Sequence, residues 1–178
     1  VVKMVTSLSD FFRTTLSKGH DYITVKEERT HIESYLEIQQ FRYQDILDYE
    51  IQMDEEIYGY IIPKLTLQPL VENALYHGIK NKRGKGKILI TGKKQGDKII
   101  FQVIDNGKGM TEEELNSLRK KMAGTDTGDE AKGFGVSNVN QRIKYYYGEE
   151  YGVFFESKEN EGTNATIIIA AKNIQLPS

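Results

Sequence analysis

The stretch Leu47-Asp48-Tyr49-Glu50-Ile51-Gln52-Met53 alternates strictly between apolar and polar residues. Period-two alternation describes a strand with one face on a core and one in water, and a half-solvated strand of this kind is expected to be antiparallel. The segment before it has a different rhythm. Thr24-Val25-Lys26-Glu27 has the form of a capping box, with Ile32, Leu36, Gln39 and Tyr43 following at helical spacing to about Gln44. A helix that runs straight into an alternating strand shows that the chain mixes both element types.

Working outward, Val1, Met4, Val5, Leu8, Phe11 and Phe12 form a helical stripe between Val1 and Ser17 that needs a partner, and Lys18-Gly19-His20-Asp21 ends it. The start at Val1-Val2-Lys3, inside a helical pattern and without an initiator methionine, reads as an excised fragment. Downstream, Pro63 closes a short apolar piece. Leu65 to His77 resumes a helical rhythm that tolerates Pro69 only in the first turn. Lys87 to Thr91 and Lys98 to Ile104 read as a hairpin around Lys94-Gln95-Gly96-Asp97. A Gly-rich turn (Asp105 to Gly109), a polar helix (about Thr111 to Met122) and a Gly/Thr/Asp-rich loop (Gly124 to Gly135) come next. A helix at Val136 to Tyr147 and strands at Gly152 to Ser157 and Thr163 to Ala171 complete the chain. The expected class is α+β, a two-layer α/β sandwich with a mixed, mostly antiparallel sheet covered by helices on one face, plus an N-terminal helical piece.

The bulk properties narrow the function. A length of 178 residues suits one domain with a helical appendage, and 38% hydrophobic with 28% charged residues is an ordinary globular balance. A net charge of −2 argues against direct binding to nucleic acid or an anionic membrane. The basic run Lys80 to Lys87 reads first as a solvated loop. The absence of cysteine removes disulfides and thiolate chemistry. No apolar run approaches the roughly 18 residues of a membrane-spanning helix.

Four segments carry the functional signal: Leu67-Gln68-Pro69-Leu70-Val71-Glu72-Asn73-Ala74-Leu75-Tyr76-His77-Gly78, Asp105-Asn106-Gly107-Lys108-Gly109-Met110, Gly133-Phe134-Gly135 and Glu161-Gly162-Thr163. Taken alone, Asp105-Asn106-Gly107 is a β-turn, but a carboxylate at a strand end followed by Gly-x-Gly also suits a flat ligand bearing an exocyclic amine. Gly133-Phe134-Gly135 before a helix is either a flexible lead-in or a phosphate cradle. Asn73, with His77 one turn later, is either the solvated edge of an apolar helix or a pair aimed into a ligand site. An Asn carbonyl is a suitable oxygen ligand for Mg²⁺.

In order and spacing these segments resemble the N, G1, G2 and G3 boxes of the GHKL ATP-binding superfamily, from about Pro63 to Ala171. The wording around Asn73, with Gly-Phe-Gly-Val-Ser-Asn-Val followed by Arg142, resembles the LytS/YesM-type sensor histidine kinases. Upstream, Leu8 to Arg13, Glu27-Glu28, Tyr35 to Gln39 and Phe41-Arg42-Tyr43 are similar to that family's linking segment. The resemblance implies a Bergerat-type fold and the cofactors ATP and Mg²⁺. It implies that Asn73 coordinates Mg²⁺, Asp105 holds the adenine amine, and Gly107 and Gly109 shape the adenine wall. Gly133 and Gly135 line the phosphates, Thr163 supports the adenine pocket through water, His77 and Lys80 contact phosphates, and Thr111 to Lys132 forms a lid.

The implied division is residues 1–18 as the second helix of a dimerisation hairpin, 19–46 as a linker with the first helix, 47–172 as the catalytic domain and 173–178 as a tail. Implied partners are the chain's own acceptor-histidine helix in a homodimer and a response regulator of AraC or LytTR type, with no direct nucleic acid. The implied location is the cytoplasmic side of a bacterial membrane-anchored receptor.

Two departures qualify this. ATP-hydrolysing relatives place a general-base glutamate four residues before the asparagine, where this chain has Pro69, and Glu72 lies about 100° around the helix from Asn73. No residue of the chain is therefore assigned as acid or base. The family's Asn-Pro-His-Phe acceptor motif is absent, and His20, His31 and His77 do not replace it. The alternatives are a GHKL-type ATPase, a nucleotide-binding interaction module without phosphotransfer, and a small serine-kinase anti-sigma factor.

Overall fold

Ile88, Ile90, Ile99, Phe101, Val103, Val153, Phe155, Ala165, Ile167 and Ile169 alternate along four segments of the chain and are all almost fully buried. In the computed structural model, which describes residues 2–16, 21–44, 46–80, 82–124 and 134–174, they form one face of a sheet. The elements in order are α1 (Val2–Leu16), β1 (Tyr22–Thr24), α2 (Val25–Arg42), β2 (Leu47–Met53), β3 (Ile61–Pro63), α3 (Gln68–Asn73), β4 (Gly86–Gln95), β5 (Lys98–Asp105), α4 (Glu112–Met122), α5 (Phe134–Tyr147), β6 (Gly152–Lys158) and β7 (Gly162–Ala170). The large sheet has the order β2-β4-β5-β7-β6, and Val25, Ile32 and Leu36 of α2, Leu70 and Val71 of α3, and Val139 and Ile143 of α5 join its buried face in one core. The expected two-layer α+β sandwich is observed.

One strand departs from expectation. β2 pairs with β4 in parallel, Leu47 opposite Gly86 through Met53 opposite Gly92, whereas its alternation predicts an antiparallel neighbour. Alternation reports one solvated face. The direction of pairing follows from the connection, and here the chain passes through β3 and α3 before re-entering the sheet, a crossover long enough for parallel pairing. Strand β1 was not expected either. It pairs antiparallel with β3, Ile23 opposite Ile62, and ties the linker region to the start of the asparagine-bearing helix.

The Thr24–Glu27 capping box forms: the Glu27 amide donates to Thr24 Oγ1 at 3.2 Å and the Thr24 amide donates to Glu27 Oε2 at 2.7 Å. Thr111 and Glu114 build a second one at the start of α4. α1 lies against α2, with Phe11 stacked on His31 at 4.8 Å, while Val5, Leu8 and Phe12 of the expected stripe stay exposed. α3 starts at Gln68 rather than Leu65, because Leu65 adopts a left-handed conformation (φ 58°), and Pro69 falls in its first turn as required. From Ala74 to Ile79 the helix widens into a π turn, closed by the Lys80 amide donating to the Leu75 carbonyl at 3.0 Å. Such insertions recur at functional sites.

Candidate functional site

A cleft of about 180 Å³ opens where β5 ends. Asn73, His77 and Gly78 line one side, Asp105, Lys108, Gly109, Met110 and Thr163 the other, and Glu114 and Leu118 of α4 close it.

The sheet side is built by close backbone approach. Asp105 is the last residue of β5 and 5% exposed, and its Oδ1 accepts the Gly107 amide at 2.8 Å. Burial pushes its carboxyl up to about 6, against the opposing pull of the Gly107 and Thr163 amides and the Lys82 charge. A carboxylate desolvated this far favours a ligand that supplies another hydrogen-bond donor. Gly78 is required beside it, since a Cβ there would sit 2.6 Å from Asp105 Oδ1. Gly107 packs against Gly78 backbone to backbone, where a Cβ would fall 2.4 Å from the Gly78 carbonyl carbon. Gly109 has φ 65° and would place a Cβ 1.9 Å from the Lys158 carbonyl oxygen.

Ser157 Oγ braces this wall. It accepts the Met110 amide at 2.9 Å, donates to the Gly162 carbonyl at 3.0 Å and lies 2.8 Å from Thr163 Oγ1. With the Ser157 proton given to Gly162, Thr163 supplies the proton of their shared bond and keeps acceptor capacity.

The helix side works differently. Asn73 ends α3 and His77 lies in the π turn. Glu72 does not line the cleft; it accepts from Gln68 Nε2 at 3.0 Å, and Gln68 Oε1 in turn meets His31 Nε2. Pro69 packs beside Gly135, at 3.4 Å from where a Gly135 Cβ would stand.

Of the residues singled out from sequence, Asn73, His77, Asp105, Gly109 and Thr163 meet in the cleft, with Gly107 buried behind them. Lys80 does not line it. Its ammonium lies over the rings of Tyr76 (4.0 Å) and Tyr43 (4.8 Å), a cation–π arrangement. Gly135 sits in the first turn of α5, exposed. Gly133, and residues 125–132 of the expected lid, fall outside the described residues. Sequence reasoning missed Lys108, Met110, Glu114, Leu118 and Ser157. Lys108 and Met110 lie inside a quoted motif and Glu114 is the third residue of a capping box, but Ser157 and Leu118 carry no local signal. A larger groove of about 360 Å³ between α1 and α2 has Glu37 as its one carboxylate, already paired with Lys3 at 3.3 Å and with Ser7.

Residues 63–173 match the family described as histidine kinase-, DNA gyrase B- and HSP90-like ATPase, and residues 1–47 match the histidine kinase family. The chain is 34% identical to sensor histidine kinase YesM of Bacillus subtilis (strain 168) over 97% of its own length and 28% of that protein. It is 30% identical to sensor protein LytS of Bacillus anthracis, over 96% of its own length and 28% of that protein. The chain thus spans little more than a quarter of these relatives. Among solved structures, the nucleotide-free catalytic domain of histidine kinase ThkA superposes with a TM-score of 0.63 at 19% identity, covering 86% of this chain and 97% of that one, a likeness of fold.

Proposed function

This chain belongs to the histidine kinase-, DNA gyrase B- and HSP90-like ATPase family, and from that premise we propose that it is the catalytic domain of a two-component sensor histidine kinase. It binds Mg-ATP and donates the γ-phosphoryl group to a histidine on an upstream helix. The observation that carries the reading is the buried Asp105 carboxylate, walled by glycines that admit no side chain, at the mouth of a cleft with Asn73 and His77 opposite.

The wall suits adenine. Gly78 and Gly109 present bare backbone to the cleft for a flat ring to lie against, and the remaining lone pairs of Asp105 accept the exocyclic amine. Thr163 keeps acceptor capacity for a bridging water. Among the described residues no group of three or more His, Cys, Asp or Glu could hold a metal ion unaided. This fits Mg²⁺, which binds through few protein oxygens and mainly through phosphates and water. Asn73 would supply the protein oxygen, and the bound ion would neutralise phosphate charge. His77 faces the same cleft as a phosphate contact, and Gly135 sits in the first turn of α5, whose N-terminus favours an anion, with Gly133 just before it in sequence.

Transfer to histidine needs no base to activate water. The imidazole lone pair forms the nitrogen–phosphorus bond while the bond from phosphorus to the ADP oxygen breaks, its electron pair leaving with ADP, so positioning and electrostatics do the work. Pro69 at the position of a hydrolytic glutamate, with Glu72 turned back to Gln68, supports transfer to a positioned partner over the ATPase reading.

Residues 1–18 are read as the second helix of a dimerisation hairpin and 19–46 as the linker. The relay partner is a response regulator of AraC or LytTR type, and the parent protein is a membrane receptor with this part in the cytoplasm. No helix among the described residues is long and apolar enough to cross a membrane.

Calorimetric titration with Mg-ADP tests the reading: the chain binds, and Asp105→Ala abolishes binding. Labelled ATP leaves no phosphohistidine on this chain alone, and adding the acceptor helix in trans restores transfer. Label on this chain's own histidines, or none with the acceptor present, overturns it.

A further inference from the structure

The turn that launches α3 is held from outside. Leu67 is the residue before the helix, and no side chain of the turn caps it. Instead its amide donates to Glu28 Oε1 at 2.8 Å, and the amide of Leu65 donates to Glu28 Oε2 at 3.2 Å. Glu28 belongs to α2 and is fully buried. On the other side of the same residue, Arg142 of α5 donates from Nη2 to the Leu65 carbonyl at 3.0 Å. Leu65 is thus gripped at both its amide and its carbonyl, and it is a non-glycine residue at φ 58°. A left-handed leucine is uncommon and persists where its surroundings over-determine it.

Three elements meet at this turn: the linker helix α2, the helix α5 that follows the phosphate segment, and α3, which ends in Asn73. Three residues on from Glu28, His31 repeats the grip by meeting Gln68, and Gln68 holds Glu72, the neighbour of Asn73. Burial pushes the Glu28 carboxyl up to about 7, while the amides of Leu67, Leu65 and Thr66 and the Arg142 charge oppose that shift. A buried carboxyl with this many donors is matched to one geometry of the turn.

We propose that Glu28, with Arg142, is a positioning residue for the nucleotide site: by fixing Leu65–Leu67 it sets the placement of α3 and hence of Asn73 toward the metal-bound phosphates. The linker helix thereby bears directly on the metal side of the cleft. Asp105, Gly107 and Gly109 are carried by β5 and the turn after it, and Gly78 joins them from the π turn. The inference rests on the nucleotide reading above.

The test is the ADP affinity of the chain with Mg²⁺ and, separately, in a chelator, for the parent and for Glu28→Gln, which keeps the shape but replaces one acceptor with a donor. The expected result is a folded variant whose Mg²⁺-dependent gain in affinity falls roughly tenfold, the scale of outer-shell effects on metal sites, while its metal-free affinity stays within about twofold of the parent. Leu65→Gly on the same background accepts the left-handed conformation without the clamp and restores part of the gain.

An unchanged Mg²⁺ gain overturns the proposal, as does an equal loss of both affinities, which marks a merely structural role. Should Glu28→Gln not fold, Arg142→Lys, which leaves the carboxylate and its amide bonds in place, carries the same criteria. A parent chain that binds no ADP at all defeats the nucleotide reading instead.

Discussion

The two walls of the cleft are made in opposite ways. On the sheet side, Asp105, Gly107, Gly109, Gly162 and Thr163 are neighbours in β5, β7 and their turns, and contact is backbone on backbone. On the helix side, Asn73 and His77 sit on a short α turn and a π turn placed by side chains from distant elements: Glu28, His31 and Arg142. The first wall is inseparable from the fold. The second is carried on α3 and the π turn, and it meets the first backbone to backbone at Gly78, whose carbonyl accepts the Lys108 amide at 3.3 Å.

The sharpest way to break this contrast is Gly109→Ala. With φ 65° and a Cβ 1.9 Å from the Lys158 carbonyl oxygen, the new methyl group forces the β6–β7 turn open. The expected loss is about 3 kcal/mol or more, seen as a lowered unfolding midpoint together with lost ADP binding. A variant that melts with the parent and still binds ADP would show that the sheet wall is not one body with the fold.

Asp105→Asn separates stability from function on that same wall. The folded carboxyl titrates at about 6 instead of its ordinary 3.8, so the folded state holds its proton more tightly than the unfolded chain. Stability present at about pH 4 is therefore lost as pH rises through about 6, on the order of 2 kcal/mol by pH 7. Asp105→Asn should melt higher than the parent at pH 7 and equal to it at pH 4, yet bind ADP at least roughly tenfold more weakly, since a charge-assisted bond is lost. Parent ADP affinity should likewise weaken as pH falls below about 6, where protonation removes the acceptor. Melting curves of parent and variant that run parallel across this pH range would contradict the burial argument.

Smaller effects sharpen the picture. Thr111→Ala removes the cap of α4 at about 1 kcal/mol, and faster hydrogen exchange should be confined to that helix. Spread of the change into β5 would mean that α4 is part of the sheet wall. Glu72→Ala should leave phosphate release unchanged, because Glu72 is bonded to Gln68 and lies off the cleft. Steady release that disappears in this variant would give the helix wall a base and revive the hydrolytic reading.

The same contrast explains what could be read in advance. Features made by adjacent residues were legible: the Asp105-Asn106-Gly107-Lys108-Gly109 turn, the Thr24–Glu27 cap and Pro69 in a first turn each need particular residue types at fixed local spacing. Features made across the chain were not. The parallel pairing of β2 depends on a crossover, the β1–β3 pair joins segments from either side of α2 and β2, and the Glu28 bond to Leu65 spans 37 residues. Lys80 looks like a phosphate contact by its position after His77-Gly78, but Tyr43, far upstream, and Tyr76 hold its charge. Periodicity also places Leu65 in the helix, and its positive φ goes with bonds to Glu28 and Arg142, which no local pattern announces.

The packing of Gly78 against Asp105 and Gly107 has a consequence for chemical inhibition. A competitor confined to Gly78, Asp105, Gly107 and Gly109 meets main chain and one carboxylate, where any new side chain on the glycines would collide with the fold. Escape would have to come through Met110, beside this wall, or Leu118 of α4, the apolar side chains that face the cleft. Compounds kept short of those two side chains should therefore be slow to select resistance.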